Sequence, residues 1–203
     1  MLRIMTVCTG NICRSPVAAQ VLRTRLSTLG VRVDSAGTRP REGMQATHEA
    51  VETGVGMGAV ADELAQHRAR RLKATDLEAV DLTVAMAREH RREVVELAPA
   101  QMRRCFTARE FARLTEEMSD AELLEAASNT AGDPHSRLAG ALAAVNARRG
   151  LVLPPMRPND DDVVDPYRRS RGVYEQAARQ LEPALIAVER VVRLVALGPT
   201  REG

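Results

Sequence analysis

The chain has 203 residues, 44% of them hydrophobic, which suits one domain with a real core and little more. Its formal net charge of +2 points to neither nucleic acid nor a membrane surface, and no run approaches the roughly 20 apolar residues of a membrane-spanning helix. Aromatic residues are only 2%, so the core must be aliphatic.

Leu2–Val7 is a short, partly β-branched apolar run, the pattern of a buried parallel strand. It is too short for a signal peptide. Pro16 suits a first helical position, and Val17, Ala18, Val21, Leu22, Leu26 and Leu29 then recur at helical spacing until Gly30. Val31–Ala36 predicts a second strand, giving a right-handed βαβ unit. A helix is expected over Ala46–Glu52, a break at Gly54–Gly58, and helix again over Ala59–Gln66. Leu77 and Val80 belong to a short turn or helix. Asp81–Met86 predicts a third strand and Arg88–Leu97 a helix with Val94, Val95 and Leu97 inward. Met102–Thr107 is expected as a fourth strand and Ala108–Leu114 as a short helix.

The character then changes. Ser119 and Glu122 are spaced as a capping box, and Asp133-Pro134 opens a further helix to about Arg148. Pro154, Pro155, Pro158 and Asp160-Asp161-Asp162 form a polar link, read as solvated. Thr115–Asp162 therefore reads as an insertion: a lid, a partner surface or a dimer contact. A long helix from about Arg171 to Leu197 closes the chain, with Pro183 expected to kink or split it. Strands alternating with helices imply an α/β class with a parallel sheet, as one domain over residues 1–203 with the stretch at about 115–162 inserted.

The chemistry concentrates in Cys8-Thr9-Gly10-Asn11-Ile12-Cys13-Arg14-Ser15-Pro16. Cys8 ends a strand just before a helix, whose first N–H groups and dipole favour an anion. Arg14 adds a planar fork suited to two oxygens at once. The amides from Thr9 to Ser15 can curl into an anion-binding nest, with Gly10 and Asn11 best able to take the left-handed turns required. A tetrahedral oxyanion, phosphate or arsenate, is the expected ligand, with a thiolate nucleophile beneath it.

This nine-residue stretch resembles the signature of the low-molecular-weight protein tyrosine phosphatases. Further matches follow in order: Asp34-Ser35-Ala36-Gly37-Thr38, His67-Arg68-Ala69-Arg70-Arg71-Leu72, Ala79-Val80-Asp81-Leu82, Met86-Ala87-Arg88-Glu89-His90 and Asp165-Pro166-Tyr167. The likeness covers most of the chain except Gly43–Gln66 and Thr115–Asp162. It implies a three-layer sandwich: a central four-stranded parallel sheet, helices on both faces, and a phosphate-binding loop after the first strand. It also implies catalysis without cofactor or metal. Cys8 would attack phosphorus to give a phosphocysteine, while Arg14 and the loop amides of Thr9, Gly10, Asn11, Ile12, Cys13 and Ser15 hold the phosphoryl oxygens. Asn11 would brace the loop and Ser15 would stabilise the thiolate. The expected partners are a phosphorylated protein, phosphotyrosine foremost, or a small aryl phosphate, with inorganic phosphate as product and inhibitor.

A leaving oxygen needs a proton, and one carboxyl can give and retake it. Two Asp-Pro pairs compete, Asp165-Pro166 and Asp133-Pro134. Asp165 is favoured, since Tyr167 could flank a substrate ring and Asp133 lies in the inserted stretch. Cys13, in the loop with Cys8, is expected either to pack or to act as a resolving thiol that traps oxidised Cys8 as a disulfide. Cys105 reads as core. Three cysteines make no disulfide framework, so a reducing, cytoplasmic setting is expected. His48, His67, His90 and His135 are expected to be solvated or in the core. The loop after Thr38 lacks the aromatic side chain usual among the family, leaving Arg41 or Met44 as a cleft wall. Two other functions compete: a thioredoxin-coupled arsenate reductase, disfavoured because no cysteine relay follows the third strand, and a silent oxyanion-binding module, disfavoured by the intact Cys8, Arg14 and Asp165.

Overall fold

A strand that is apolar on both sides must be covered on both faces. β1 (Arg3–Cys8) is such a strand, with Ile4, Met5, Val7 and Cys8 all buried. In the computed structural model, which describes residues 1–128 and 132–197, β1 lies inside a parallel sheet with β2 (Arg32–Gly37), β3 (Leu82–Ala85) and β4 (Cys105–Thr107), in the order β2-β1-β3-β4. On one face Ile4, Val33 and Val84 join a core with Val21 and Leu22 of α1 (Arg14–Arg25) and Leu185 and Val188 of α9 (Arg171–Leu197). On the other, Met5, Val7 and Ala85 pack with Leu77 of α4 (Ala74–Leu77) and Val94 of α5 (Arg88–Leu97). This is the three-layer arrangement expected.

The order places the site. From β1 the chain crosses to β2 on one side and later to β3 on the other, so the connections diverge at the carboxyl end of β1. That divergence opens a crevice, and Cys8 is the last residue of β1.

The stretch expected as an insertion carries α7 (Asp120–Ser128) and α8 (Pro134–Ala147), following α6 (Ala108–Thr115). The Ser119–Glu122 box forms: Ser119 N donates to Glu122 Oε2 at 2.7 Å and Glu122 N to Ser119 Oγ at 3.2 Å. Leu123, Leu138, Leu142 and Val145 are buried in the same core as α1 and α9.

Several local expectations change. The α1 helix begins at Arg14, ahead of Pro16. The expected break at Gly54–Gly58 starts later than expected: α2 (His48–Gly56) continues through Gly54 and ends at Gly56, the chain turns at Met57 and Gly58, and α3 (Ala61–Ala65) packs back on α2. A Cβ at Gly54 would come within 2.5 Å of Leu64 Cδ2, so the glycine serves close packing rather than a turn. An added methyl there would overpack the contact at a cost of about 1–3 kcal/mol. Leu97 is 42% exposed rather than inward, because α5 turns that end to solvent. Pro183 sits inside α9 without splitting it. The acidic run is tied down rather than freely solvated: Asp161 pairs with Arg113 at 2.8 Å, and Asp162 Oδ1 accepts from Arg88 N at 2.8 Å.

Candidate active site

The loop from Cys8 to Arg14 is held from three directions. Asn11 stands at φ 53, a left-handed conformation uncommon outside glycine. Gly10, expected to share that conformation, is not among the residues with positive φ. Asn11 is fully buried and uses its whole amide: Nδ2 donates to Ser15 Oγ at 3.0 Å and to Ser35 Oγ at 2.9 Å, and Oδ1 accepts from Arg70 N at 3.0 Å. Its carbonyl lies 2.7 Å from His67 Nε2, which must carry the proton because a carbonyl can only accept. Burial holds His67 below the usual histidine range, consistent with that neutral tautomer. Thr38 N donates to Cys8 O and Arg39 N to Thr9 O, both at 3.0 Å. A Cβ at Gly37 would meet Thr9 O at 2.6 Å, so only glycine lets β2 approach the loop this closely.

This bracing fixes the environment of the sulfur. Ser15 Oγ lies 2.9 Å from Cys8 Sγ. That hydroxyl also accepts from Asn11 Nδ2 at 3.0 Å, and towards a Cys8 thiolate, which can only accept, it would be the donor. Asn11 N donates to the same sulfur at 3.2 Å. Two hydrogen-bonding groups thus converge on Cys8 Sγ, the Asn11 amide as a donor and the Ser15 hydroxyl. Asn11 and Ser15 accordingly lie beneath the loop, and their side chains brace it rather than wall the cleft.

Arg14 is 7% exposed. Its Nη1 donates to Val163 O at 3.0 Å and its Nη2 lies 2.9 Å from Asp165 Oδ2, while Nε–H has no acceptor among the described residues. Asp165 is brought here by an anchored segment: Val163 N donates to Met86 O at 2.8 Å, and Val164 N to Gln180 Oε1 at 2.9 Å. Its other oxygen accepts from Tyr167 N at 3.2 Å. Asp133, the competing aspartate, instead caps α8, accepting from His135 N at 2.8 Å and Ser136 N at 3.3 Å.

Above the sulfur lies a cleft of about 250 Å³. The loop residues Cys8, Thr9, Gly10, Ile12, Cys13 and Arg14 line it together with Asp165 and Tyr167 from the distal segment. Arg39, Arg41 and Met44 complete it, so the loop after β2 does serve as a wall without an aromatic residue. No described residue of 115–162 lines it.

Two contributors were not singled out from sequence. His90, fully buried in α5, places Nε2 2.8 Å from Thr9 Oγ1 and leaves Nδ1 without a partner among the described residues. Burial, with Arg14 and Arg39 nearby, pushes it down to about 3, so it is neutral. Tyr174 of α9 sets its hydroxyl 3.2 Å from Thr47 Oγ1 and 3.8 Å from Cys13 Sγ. His67 and His90 do lie in segments quoted above for their resemblance, which was the available signal. Burial pushes the Cys13 thiol up to about 11, partly offset by hydrogen bonds from Thr47 and Tyr174. Cys105 is buried in β4 and pushed by burial up to about 12.

Fold and site define a class: an α/β protein that closes an oxyanion-binding loop around a cysteine and an arginine at the end of its central strand. Within that class the chain belongs to the low molecular weight phosphotyrosine protein phosphatase family, whose model matches residues 3–125. It is 40% identical over 96 residues to the low molecular weight protein-tyrosine-phosphatase Etp of Escherichia coli, a match covering 47% of this chain and 62% of the relative. It is 35% identical over 113 residues to a protein-arginine-phosphatase of Geobacillus stearothermophilus, covering 54% of this chain and 70% of that one. A crystal structure of the low molecular weight protein tyrosine phosphatase from T. tengcongensis aligns with a TM-score of 0.63 at 28% identity, over 93% of this chain and 97% of the other. The sequence match thus spans less than two thirds of the E. coli relative's length.

Proposed function

We propose that the chain is a cysteine-dependent phosphomonoester phosphatase acting on phosphotyrosine in proteins or on small aryl phosphates. The observation that carries this is the pair of hydrogen bonds at Cys8 Sγ, with Ser15 Oγ at 2.9 Å and from Asn11 N at 3.2 Å, beneath a cleft that also holds Arg14 and Asp165. Cys8 would attack phosphorus in line as the bond to the aryl oxygen breaks. Asp165 would give its proton to that leaving oxygen. Arg14 and the loop amides would hold the three equatorial oxygens, where positioning and charge supply most of the acceleration. Asp165 would then take a proton from water, whose oxygen attacks phosphorus. The S–P bond breaks, releasing inorganic phosphate, itself a product inhibitor, and restoring the thiolate. The chemistry uses no cofactor and no metal.

Ile12, Met44 and Tyr167 offer apolar contact to an aryl ring. The likeness to a protein-arginine-phosphatase supports a second reading, hydrolysis of phosphoarginine. The cleft argues for the aryl ester: Arg39 and Arg41 would repel the guanidinium released from phosphoarginine, and the one carboxylate lining it, Asp165, is held by Arg14. Arsenate reduction would need a thiol relay, and Cys105 lies buried in β4. Cys13 is further proposed as a resolving thiol. Peroxide would oxidise Cys8 to sulfenic acid, and Cys13 would attack that sulfur, releasing water and leaving a disulfide. Among the described residues no helix is long and apolar enough to cross a membrane, and a cytoplasmic setting is proposed.

The test is hydrolysis of 4-nitrophenyl phosphate, a phosphotyrosine peptide and a phosphoarginine peptide by wild type and Cys8→Ser, beside thioredoxin-coupled arsenate reduction. Loss of aryl phosphate turnover in Cys8→Ser is expected. Turnover that persists without the thiol would sink the mechanism, and turnover of phosphoarginine alone would transfer it to the second reading.

A further inference from the structure

The cleft carries more positive charge than phosphate capture needs. Of the side chains that line it, Arg14, Arg39 and Arg41 are cationic and only Asp165 is acidic. Arg14 and Asp165 face each other at 2.9 Å, so the surplus falls on the loop after β2. Arg39 shares its charge with Glu93 at 3.1 Å. Arg41 is exposed, and among the described residues no carboxylate lies within ion-pair reach of it. Arg168, next in sequence to the cleft-lining Tyr167, stands at φ 59 with its guanidinium 5.1 Å from the centre of that ring. It too makes no ion pair among the described residues. Most arginines near the site do: Arg70 with Asp76 at 2.9 Å, Arg71 with Glu42 at 3.6 Å, Arg88 with Asp162 at 3.2 Å.

Two guanidinium groups with no ion pair among the described residues thus belong to segments that wall the cleft, Arg41 in its lining and Arg168 against the lining ring of Tyr167, with Ile12 and Met44 as further apolar walls. The whole chain is close to neutral at +2, so this is a local arrangement rather than a general excess. Guanidinium forks bind carboxylate and phosphate oxygens, and like-signed rims attract and orient ligands of opposite charge. A phosphotyrosine seated in the loop would bring its neighbouring residues past this rim.

On the basis of the phosphatase reading above, we infer that Arg41 and Arg168 form a cationic rim that selects phosphotyrosine flanked by anionic groups. Those groups are carboxylates of adjacent residues or a second phosphate on the same peptide. The rim acts on peptide recognition, not on the bond broken.

Three phosphotyrosine peptides of equal length test it: one with Asp and Glu flanks, one with Asn and Gln flanks, and one with neutral flanks and an adjacent phosphoserine. Turnover of 4-nitrophenyl phosphate, which has no flanks, is the reference for each enzyme. Wild type at low salt should show kcat/KM about tenfold higher for the acidic than for the neutral peptide, an advantage that shrinks in high salt. In Arg41→Gln, Arg168→Gln and the doubly substituted chain, the acidic-to-neutral ratio should fall stepwise towards one. Preference for the phosphoserine peptide alone would support the rim and identify phosphate as the anion it reads. Equal kcat/KM for all three peptides in wild type, at any salt, with 4-nitrophenyl phosphate still hydrolysed, would overturn the rim and leave the phosphatase reading standing. Failure of every substrate, 4-nitrophenyl phosphate included, would overturn that reading itself. The wild-type salt series decides the matter even where a variant folds poorly.

Discussion

Arg14 Nη2 lies 2.9 Å from Asp165 Oδ2 across the cleft. The group proposed to hold phosphate and the group proposed to protonate the leaving oxygen are therefore partners before substrate enters. A dianionic phosphate offers Arg14 the stronger bidentate acceptor. Its arrival would displace the carboxylate from the fork and leave it free, beside the leaving oxygen, to carry a proton. Arg14 Nε–H, which has no acceptor among the described residues, is a further donor available to that phosphate.

Replacing Asp165 by Asn should lower kcat on 4-nitrophenyl phosphate by about 10²–10⁴-fold while inhibition by inorganic phosphate persists. Replacing Asp133 by Ala should leave turnover in place and cost about 1 kcal/mol of stability, because that carboxylate caps α8. Steady-state kinetics and urea unfolding on both variants check the pair. The reverse pattern would move the acid to Asp133.

Gly37→Ala should cripple activity without unfolding the chain. Its methyl would collide with Thr9 O at 2.6 Å, a backbone atom that can yield only if the loop shifts. A displaced loop loses its aimed amides, and a misplacement of about 1 Å costs on the order of 10²-fold in rate. Circular dichroism like wild type beside a large fall in kcat is the expected result; unchanged kcat would mean that the loop tolerates the shift.

Acid should weaken the fold through His90 and His67. Both are held below the ordinary histidine range by burial, His90 down to about 3. Below pH 6.5 the unfolded chain binds protons that these native histidines refuse, so stability is full above about pH 6.5 and declines as pH falls towards 3. His90 alone should cost about 2 kcal/mol by pH 5. Urea midpoints of wild type and His90→Asn at pH 7.5 and 5 measure this. An equal decline in both proteins would remove His90 from the account.

The proposed Cys8–Cys13 disulfide should form slowly at neutral pH. Burial pushes Cys13 up to about 11, so its thiolate fraction is small at pH 7 and rises about tenfold per pH unit below that value. Mass spectrometry after mild peroxide should find the bridge more readily at pH 9 than at pH 7. Cys8 recovered only as sulfinic acid at both would exclude a resolving role.

Much of the site was legible because it is contiguous. Cys8 to Pro16 places the proposed nucleophile, loop, guanidinium and helix start within one covalent run, and that run can close only on itself. The long periodic helices were legible for a similar reason: burial on one face repeats along the chain whatever the partner is. Gly54 shows the limit. Its local signal was a break, and the close approach of Leu64 made it a packing position inside a helix. His67 and His90 show it again, for neither belongs to any periodic pattern that marks a loop contact.

The sequence alone thus determined the oxyanion loop, the α/β alternation and the cysteine proposed as the attacking thiol. Only the tertiary structure decided which aspartate reaches Arg14, which groups satisfy Asn11, and which cations beside the cleft have no ion pair among the described residues. The difference is physical. Local pattern reports backbone preference and burial, both carried by neighbouring residues. Contacts such as Arg70 N to Asn11 Oδ1, or Arg14 to Val163 O, exist only once separate segments pack on the same end of one sheet.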